Sequence, residues 1–136
     1  MRNLSRAVAV AAVAAFVTVP SFGAAEAAGN NWKTLSTFNG GKIQACKVAT
    51  TKDGPWKVKL RVDARGADSK VNGSAYVTKG SDAVDQWKSG WVAKGDVSAI
   101  GTVKLPRGSA YALNAGIATA NAGNGGTFDA SKITGC

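Results

Sequence analysis

The stretch WKVKLRVDA, residues 56–64, alternates without a break. Trp56, Val58, Leu60, Val62 and Ala64 point one way; Lys57, Lys59, Arg61 and Asp63 point the other. A period of two is that of a strand with one buried and one wet face, the pattern of antiparallel sheets. A helix cannot bring every second residue to one side.

Just upstream, KIQACKVATT (42–51) reads as the hairpin partner, joined through Lys52-Asp53-Gly54. Loop length decides which side chains share a face. A three-residue loop with Gly54 left-handed pairs Thr50 with Trp56, Val48 with Val58 and Cys46 with Leu60. The apolar sets then coincide, as burial demands. A loop of two or four residues places Lys47 among them instead. The three-residue loop is therefore expected, with Lys47 opposite Lys59 on the wet face.

The rest of the chain continues in this manner. No long stretch holds a 3.6-residue apolar period. Strands are expected at Lys33–Phe38, at Ser74–Thr78 after an Asn72-Gly73 turn, at Ala83–Lys88 and at Trp91–Ala93. Others follow at Val97–Leu105, Ala110–Thr119 and Thr127–Thr134. The NAGNGG stretch, Asn121–Gly126, reads as a flexible loop; a phosphate-cradling glycine loop would open a helix, and this one leads into TFDAS. Short strands and Gly-rich turns at spacings of about ten residues predict a single all-β domain, a small antiparallel β-sandwich.

LPRGSAY, Leu105–Tyr111, resembles the tyrosine corner of fibronectin type III and immunoglobulin-like sandwiches. In that motif a Tyr shortly after a Pro/Gly turn bonds through its hydroxyl to the turn backbone. Pro106 sits one place earlier than usual. The resemblance implies a Greek-key sandwich and carries no function. The Cys…Trp…Cys spacing of true immunoglobulin domains is absent, since Cys136 is the last residue.

The N-terminus reads as a secretory signal peptide, residues 1–27: Arg2 and Arg6, the apolar run Ala7–Val19, Pro20, then Ala25-Glu26-Ala27 as an A-x-A cleavage site. The run is short for a membrane span, which needs about 20 residues, so the expectation is a secreted, extracellular protein with no transmembrane segment in the mature chain, residues 28–136. Removing Arg2, Arg6 and Glu26 from the 17 basic and 8 acidic residues leaves 15 Lys/Arg against seven Asp, a mature charge of about +8. Cys46 and Cys136 are the only cysteines. In an exported protein such a pair reads as a disulfide. Closing nearly the whole domain into one loop contributes ~4.6 kcal/mol on the chain-entropy model. It would also pin the last residue against fraying.

These residues provide poorly for catalysis, and no enzyme activity, metal or cofactor is expected. The chain has no His, the commonest general base and metal ligand. Oxidised cysteines leave no thiolate nucleophile. Asp82 with Asp85 and Asp63 with Asp68 are the nearest carboxylate pairs, and both lie in turn-like polar stretches.

Binding is better supported. The expected register groups Lys47, Lys57, Lys59 and Arg61 on one face, and like charges set opposite one another destabilise a sheet. Such a group is a footprint for an anionic polysaccharide or cell-wall polymer; the competing reading is a solvated face or an edge guarded by lysines. Nucleic acid is not an expected partner of an exported protein. Trp87 and Trp91, in DQWKSGWVAK (85–94), are neighbours whether Ser89-Gly90 is a hairpin tip or the strand runs straight on. One is expected to be buried and one partly exposed, and an exposed ring near Lys88 and Lys94 suits stacking on sugar. The leading expectation is a monomeric binding protein of the envelope or extracellular space. An inhibitor or effector of a partner protein, with contact loops at Arg65–Gly73 or Pro106–Ser109, is the alternative, as is a surface-coat protein.

Overall fold

The computed structural model describes residues 31–136, so the signal-peptide reading, residues 1–27, lies outside the described residues. Eight strands form two four-stranded antiparallel sheets packed as a sandwich. They are β1 (Lys33–Phe38), β2 (Gly41–Ala49), β3 (Trp56–Asp63), β4 (Val71–Lys79), β5 (Asp82–Val92), β6 (Gly101–Leu105), β7 (Tyr111–Ala118) and β8 (Gly123–Phe128). The first sheet has the order β1-β2-β3-β6 and the second β5-β4-β7-β8. The chain crosses between sheets from β3 to β4, from β5 to β6 and from β6 to β7, so that β6 lies beside β3 and β7 beside β4. This is the crossed connection of a Greek-key sandwich. No described helix is long and apolar enough to cross a membrane.

The alternation of residues 56–64 is realised as expected. Val58, Leu60, Val62 and Ala64 are fully buried and meet Ile43, Ala45, Val71, Ala75, Val77, Val103, Leu113 and Ile117 between the sheets. Trp56 packs at the rim of this core. Fully burying each Val, Leu or Ile contributes about 1.5–3 kcal/mol, so the core is the main stabilising term.

The hairpin register differs by one residue from the expected one. Ala49 pairs with Trp56, Lys47 with Val58 and Cys46 with Lys59, and the connection is the six residues 50–55. One local and one long-range hydrogen bond hold this wider loop. The Thr50 hydroxyl donates to the Pro55 carbonyl at 2.8 Å, and Arg107, from the β6–β7 corner, donates Nε to the Gly54 carbonyl at 2.7 Å. The register turns Lys47 inward, where its ammonium lies 4.6 Å over the Trp56 ring and donates to the Ala130 carbonyl. Those partners remove the penalty that made an inward Lys47 unexpected.

Other segments also depart from the expected pattern. Asn72-Gly73 is not a turn but lies within β4. The Asn121–Gly126 stretch is not a flexible loop, because Gly123–Phe128 pairs with β7 through Gly123 opposite Ala118 and Gly125 opposite Gly116. Residues 97–100 are not strand; only Val97 bridges Asp63, and β6 begins at Gly101. The expected strand 127–134 ends at Phe128, and a 3-10 turn follows at Ala130–Lys132, capped by Asp129 accepting from Ser131 N. Leu105 and Tyr111 do flank the β6–β7 corner, Leu105 buried and Tyr111 opening β7. The Tyr111 backbone N–H reaches the Gly108 carbonyl at 3.4 Å.

Cys46 and Cys136 are bonded. The last residues run parallel to β2 beyond the end of β1: Lys47 N donates to Thr134 O at 2.9 Å and Cys136 N to Lys47 O at 3.0 Å. Side chains also close the two open sides of the sandwich. Asp85 on β5 accepts the backbone N–H of Lys104 on β6 at 2.8 Å, and Asn124 on β8 donates to the Thr37 carbonyl on β1 at 3.2 Å. Edge groups bonded in this way offer less of a template to another chain.

Candidate functional site

Pairing places the solvent side of the first sheet in rows. Val48, Lys57 and Lys104 form one; Cys46, Lys59 and Thr102 the next; then Gln44 with Arg61, and Lys42 with Asp63. Lys57 and Lys104 stand directly opposite one another on β3 and β6, about 5 Å apart at Cβ. Lys59 follows on the same side of β3, about 7 Å along. Among the described residues no ion pair involves Lys57, Lys59 or Lys104.

Of the four cations expected to group on this face, two do so. Lys57 is exposed and Lys59 half-buried. Lys47 faces inward, as described above, because the wider loop shifts the register by one. Arg61 has the expected orientation but is covered: it is buried beneath Trp32, with the guanidinium 4.4 Å from the ring centroid, and its Nε donates to Gln44 Oε1 at 2.9 Å. Arg61 therefore ties the segment before β1 to the sheet rather than offering an open charge. Lys104 takes its place in the group. The alternation Thr102, Lys104 against Val103, Leu105 marked Lys104 as solvent-facing; its position beside Lys57 follows only from the β3–β6 pairing.

Two carboxylates lie near. Asp85 Oδ2 is held by the Lys104 backbone N–H, and its Oδ1 by the Gln86 N–H at 2.8 Å. Asp63 is held by Arg65, which donates Nε to Oδ1 at 2.9 Å and Nη2 to Oδ2 at 2.7 Å. The Arg65 side-chain hydrogen bonds hold the Asp63 carboxyl below the usual carboxylate range. Burial works against them, while the Arg65 backbone N–H and the charges of Arg65 and Arg61 work with them.

The tryptophans separate. Trp87 lies opposite Ala75 and packs into the core, over Gly101 of the facing sheet. Trp91 lies opposite Asn72 on the outer side of the second sheet, 52% exposed, with the Lys70 ammonium 5.1 Å over its ring. Four residues apart in one regular strand, they would share a face. They do not, because the pairing shifts between Asn72 and Ser74 and sets Ser89-Gly90 against Gly73. Gly90 adopts φ 69, the left-handed conformation a bulge of this type uses. The expectation was one buried and one partly exposed ring; Trp87 is half-buried and Trp91 exposed, and they lie on opposite faces.

Searches against protein-family models, curated proteins and solved structures find no match for this chain. The geometry alone therefore supports the functional reading. Lys57, Lys59 and Lys104 stand within one short stretch of sheet, and the Asp85 carboxylate lines the same hollow as Lys57 and Lys104.

Proposed function

We propose that this is a secreted, non-enzymatic protein of the cell envelope or extracellular space that binds an anionic polymer through the solvent side of the first sheet. Lys57, Lys59 and Lys104 supply the attraction. The observation that carries this reading is the direct opposition of Lys57 and Lys104 with Lys59 alongside. Like charges across a sheet cost a few tenths of a kcal/mol or more, and a bound phosphate or carboxylate relieves that repulsion. Lysine presents a compact, rotatable charge rather than a fixed fork, which suits a polymer with several binding registers over a single bidentate anion.

Retention on insoluble cell-wall material and on immobilised polygalacturonate, across a salt series, tests this. A lysine near an anionic surface contributes about 1 kcal/mol, so a Lys57→Ala, Lys59→Ala, Lys104→Ala triple variant should bind roughly a hundredfold more weakly. Wild-type binding should fall with salt. Equal retention by the variant, or no retention at low salt, would sink the reading. Salt-insensitive one-to-one binding to a protein would favour the inhibitor or effector alternative.

A further inference from the structure

The outer side of the second sheet differs in kind from that of the first. Its rows, read from β5 to β8, are Trp91, Asn72, Ala118, Gly123; then Lys88, Ser74, Gly116, Gly125; then Gln86, Tyr76, Asn114, Thr127. Lys88 is the one charged side chain in these rows, although the described residues carry 15 Lys/Arg against seven Asp. Amides, hydroxyls and two aromatic rings make up the remaining larger groups.

We propose that this face is a second binding site, for an uncharged polysaccharide chain. Tyr76 and Trp91 would stack on sugar rings, and Asn72, Ser74, Asn114 and Thr127 would hydrogen-bond their hydroxyls. Four observations carry the proposal, independently of the basic face.

The polar groups are already oriented. Thr127 Oγ1 donates to Asn114 Oδ1 at 2.6 Å, and Asn114 Nδ2 donates to Thr78 Oγ1 at 2.9 Å. This ladder spans β8, β7 and β4 and fixes the Asn114 amide. Each member keeps unused capacity, since an amide has two donors and two lone pairs and a hydroxyl two lone pairs. The Tyr76 hydroxyl, on the same row, makes no hydrogen bond to any described residue.

Trp91 is presented rather than packed, and Tyr76 is half-buried on the same face. The bulge at Ser89-Gly90 turns Trp91 out of the core, where it is 52% exposed with the Lys70 ammonium over the indole. Aromatic rings with a polar edge suit a ligand that is apolar on one face and wet on the other. Tyr76 lies four residues along β4 from Asn72, the partner of Trp91, which puts the two rings ~14 Å apart at the backbone. That span takes an oligosaccharide rather than a single sugar.

A shallow hollow flanks Tyr76 on the side away from Trp91. Asn114, Ala115, Gly116, Gly126 and Thr127 line it with Tyr76, so that side of the ring is open, while Lys88 and Ser74 occupy the row between the two rings. Charge divides the two outer faces as well. A polyanion is drawn to Lys57, Lys59 and Lys104, whereas a neutral chain meets no unpaired charge along the Tyr76 row. With ligands on opposite sides of one sandwich, the protein could bridge two polymers.

Depletion of the purified protein by chitin, cellulose, mannan and β-1,3-glucan, at about 0.5 M salt to screen the lysines, tests the proposal. Retention is expected on at least one of these. It should fall at least tenfold in both Trp91→Ser and Tyr76→Ala and stay unchanged in the Lys57/Lys59/Lys104 triple variant. Trp91 is exposed, so Trp91→Ser remains decisive if Tyr76→Ala unfolds. Retention on none of the four, retention unaffected by Trp91→Ser, or retention lost only with the lysines would overturn it. Concentration-dependent dimerisation abolished by Trp91→Ser, without glycan binding, would identify the face as a self-contact instead. Failure here leaves the polyanion reading standing, because that reading is lost through the lysine variant alone.

Discussion

The indole nitrogen of Trp87 occupies the space that a side chain on Gly101 would need: a Cβ built there would lie 1.8 Å from it. The two residues come from facing sheets, so this contact sets how closely β5 approaches β6.

Gly101→Ala should therefore destabilise the domain by about 1–3 kcal/mol, the usual cost of overpacking. Gly135→Ala, with open space around its Cβ site and no left-handed backbone, should change stability by less than about 0.5 kcal/mol. Urea unfolding of both variants checks this. Equal midpoints would mean that the Trp87 ring has room to move.

Lys47 and Lys104 should behave in opposite ways. Lys47→Ala removes a cation over Trp56 and a hydrogen bond to Ala130, and should cost about 1–2 kcal/mol while leaving polymer retention intact. Lys104→Gln relieves repulsion from Lys57, so stability should hold or rise by a few tenths of a kcal/mol at low salt as retention falls. Paired melting and retention assays on the two variants check the sign of each effect.

Asp63 gives the domain an acid limit. Arg65 holds its folded-state pKa below the unfolded value of about 3.9. The stabilisation is thus present above that value and is lost as pH falls through the folded pKa. Urea midpoints should decline below about pH 4, and Asp63→Asn should lower stability at neutral pH while flattening the decline. A variant with the wild-type acid slope would assign the limit to another group.

Reduction of Cys46–Cys136 should lower stability by about 2–4 kcal/mol without changing which strands pair, since the core residues of β2 to β7 do not involve the bond. Unfolding with and without reductant, followed by near-ultraviolet dichroism of the tryptophans in the reduced state, measures both parts.

Local alternation made the strands legible, and core residues such as Val58, Leu60 and Val62 followed from it. What was not legible depended on groups far away in sequence. The β2–β3 register turns on a loop held by Arg107, and on partners for Lys47 at Trp56 and Ala130. Trp91 faces outward because of one left-handed residue, Gly90, in a stretch equally compatible with a hairpin tip or a straight strand. Lys104 joins Lys57 through a non-consecutive pairing. Gly123–Phe128 has the composition of a loop, and its pairing with β7 makes it a strand. For the basic group, the charge was visible in advance but not its membership: Lys47 left, Arg61 was covered, and Lys104 entered.

The disulfide also decides how the domain responds to a pull on its ends. Tension applied between residue 31 and Cys136 passes through the sulfurs to Cys46, so residues 47–135 form a covalently closed loop that carries no load. Only the segment from residue 31 to Cys46 can pay out, and fully extended it reaches about 50 Å. A domain tethered at both termini would yield by peeling β1 and part of β2. β3 to β8, which carry Lys57, Lys59, Lys104, Tyr76 and Trp91, would stay outside the line of force.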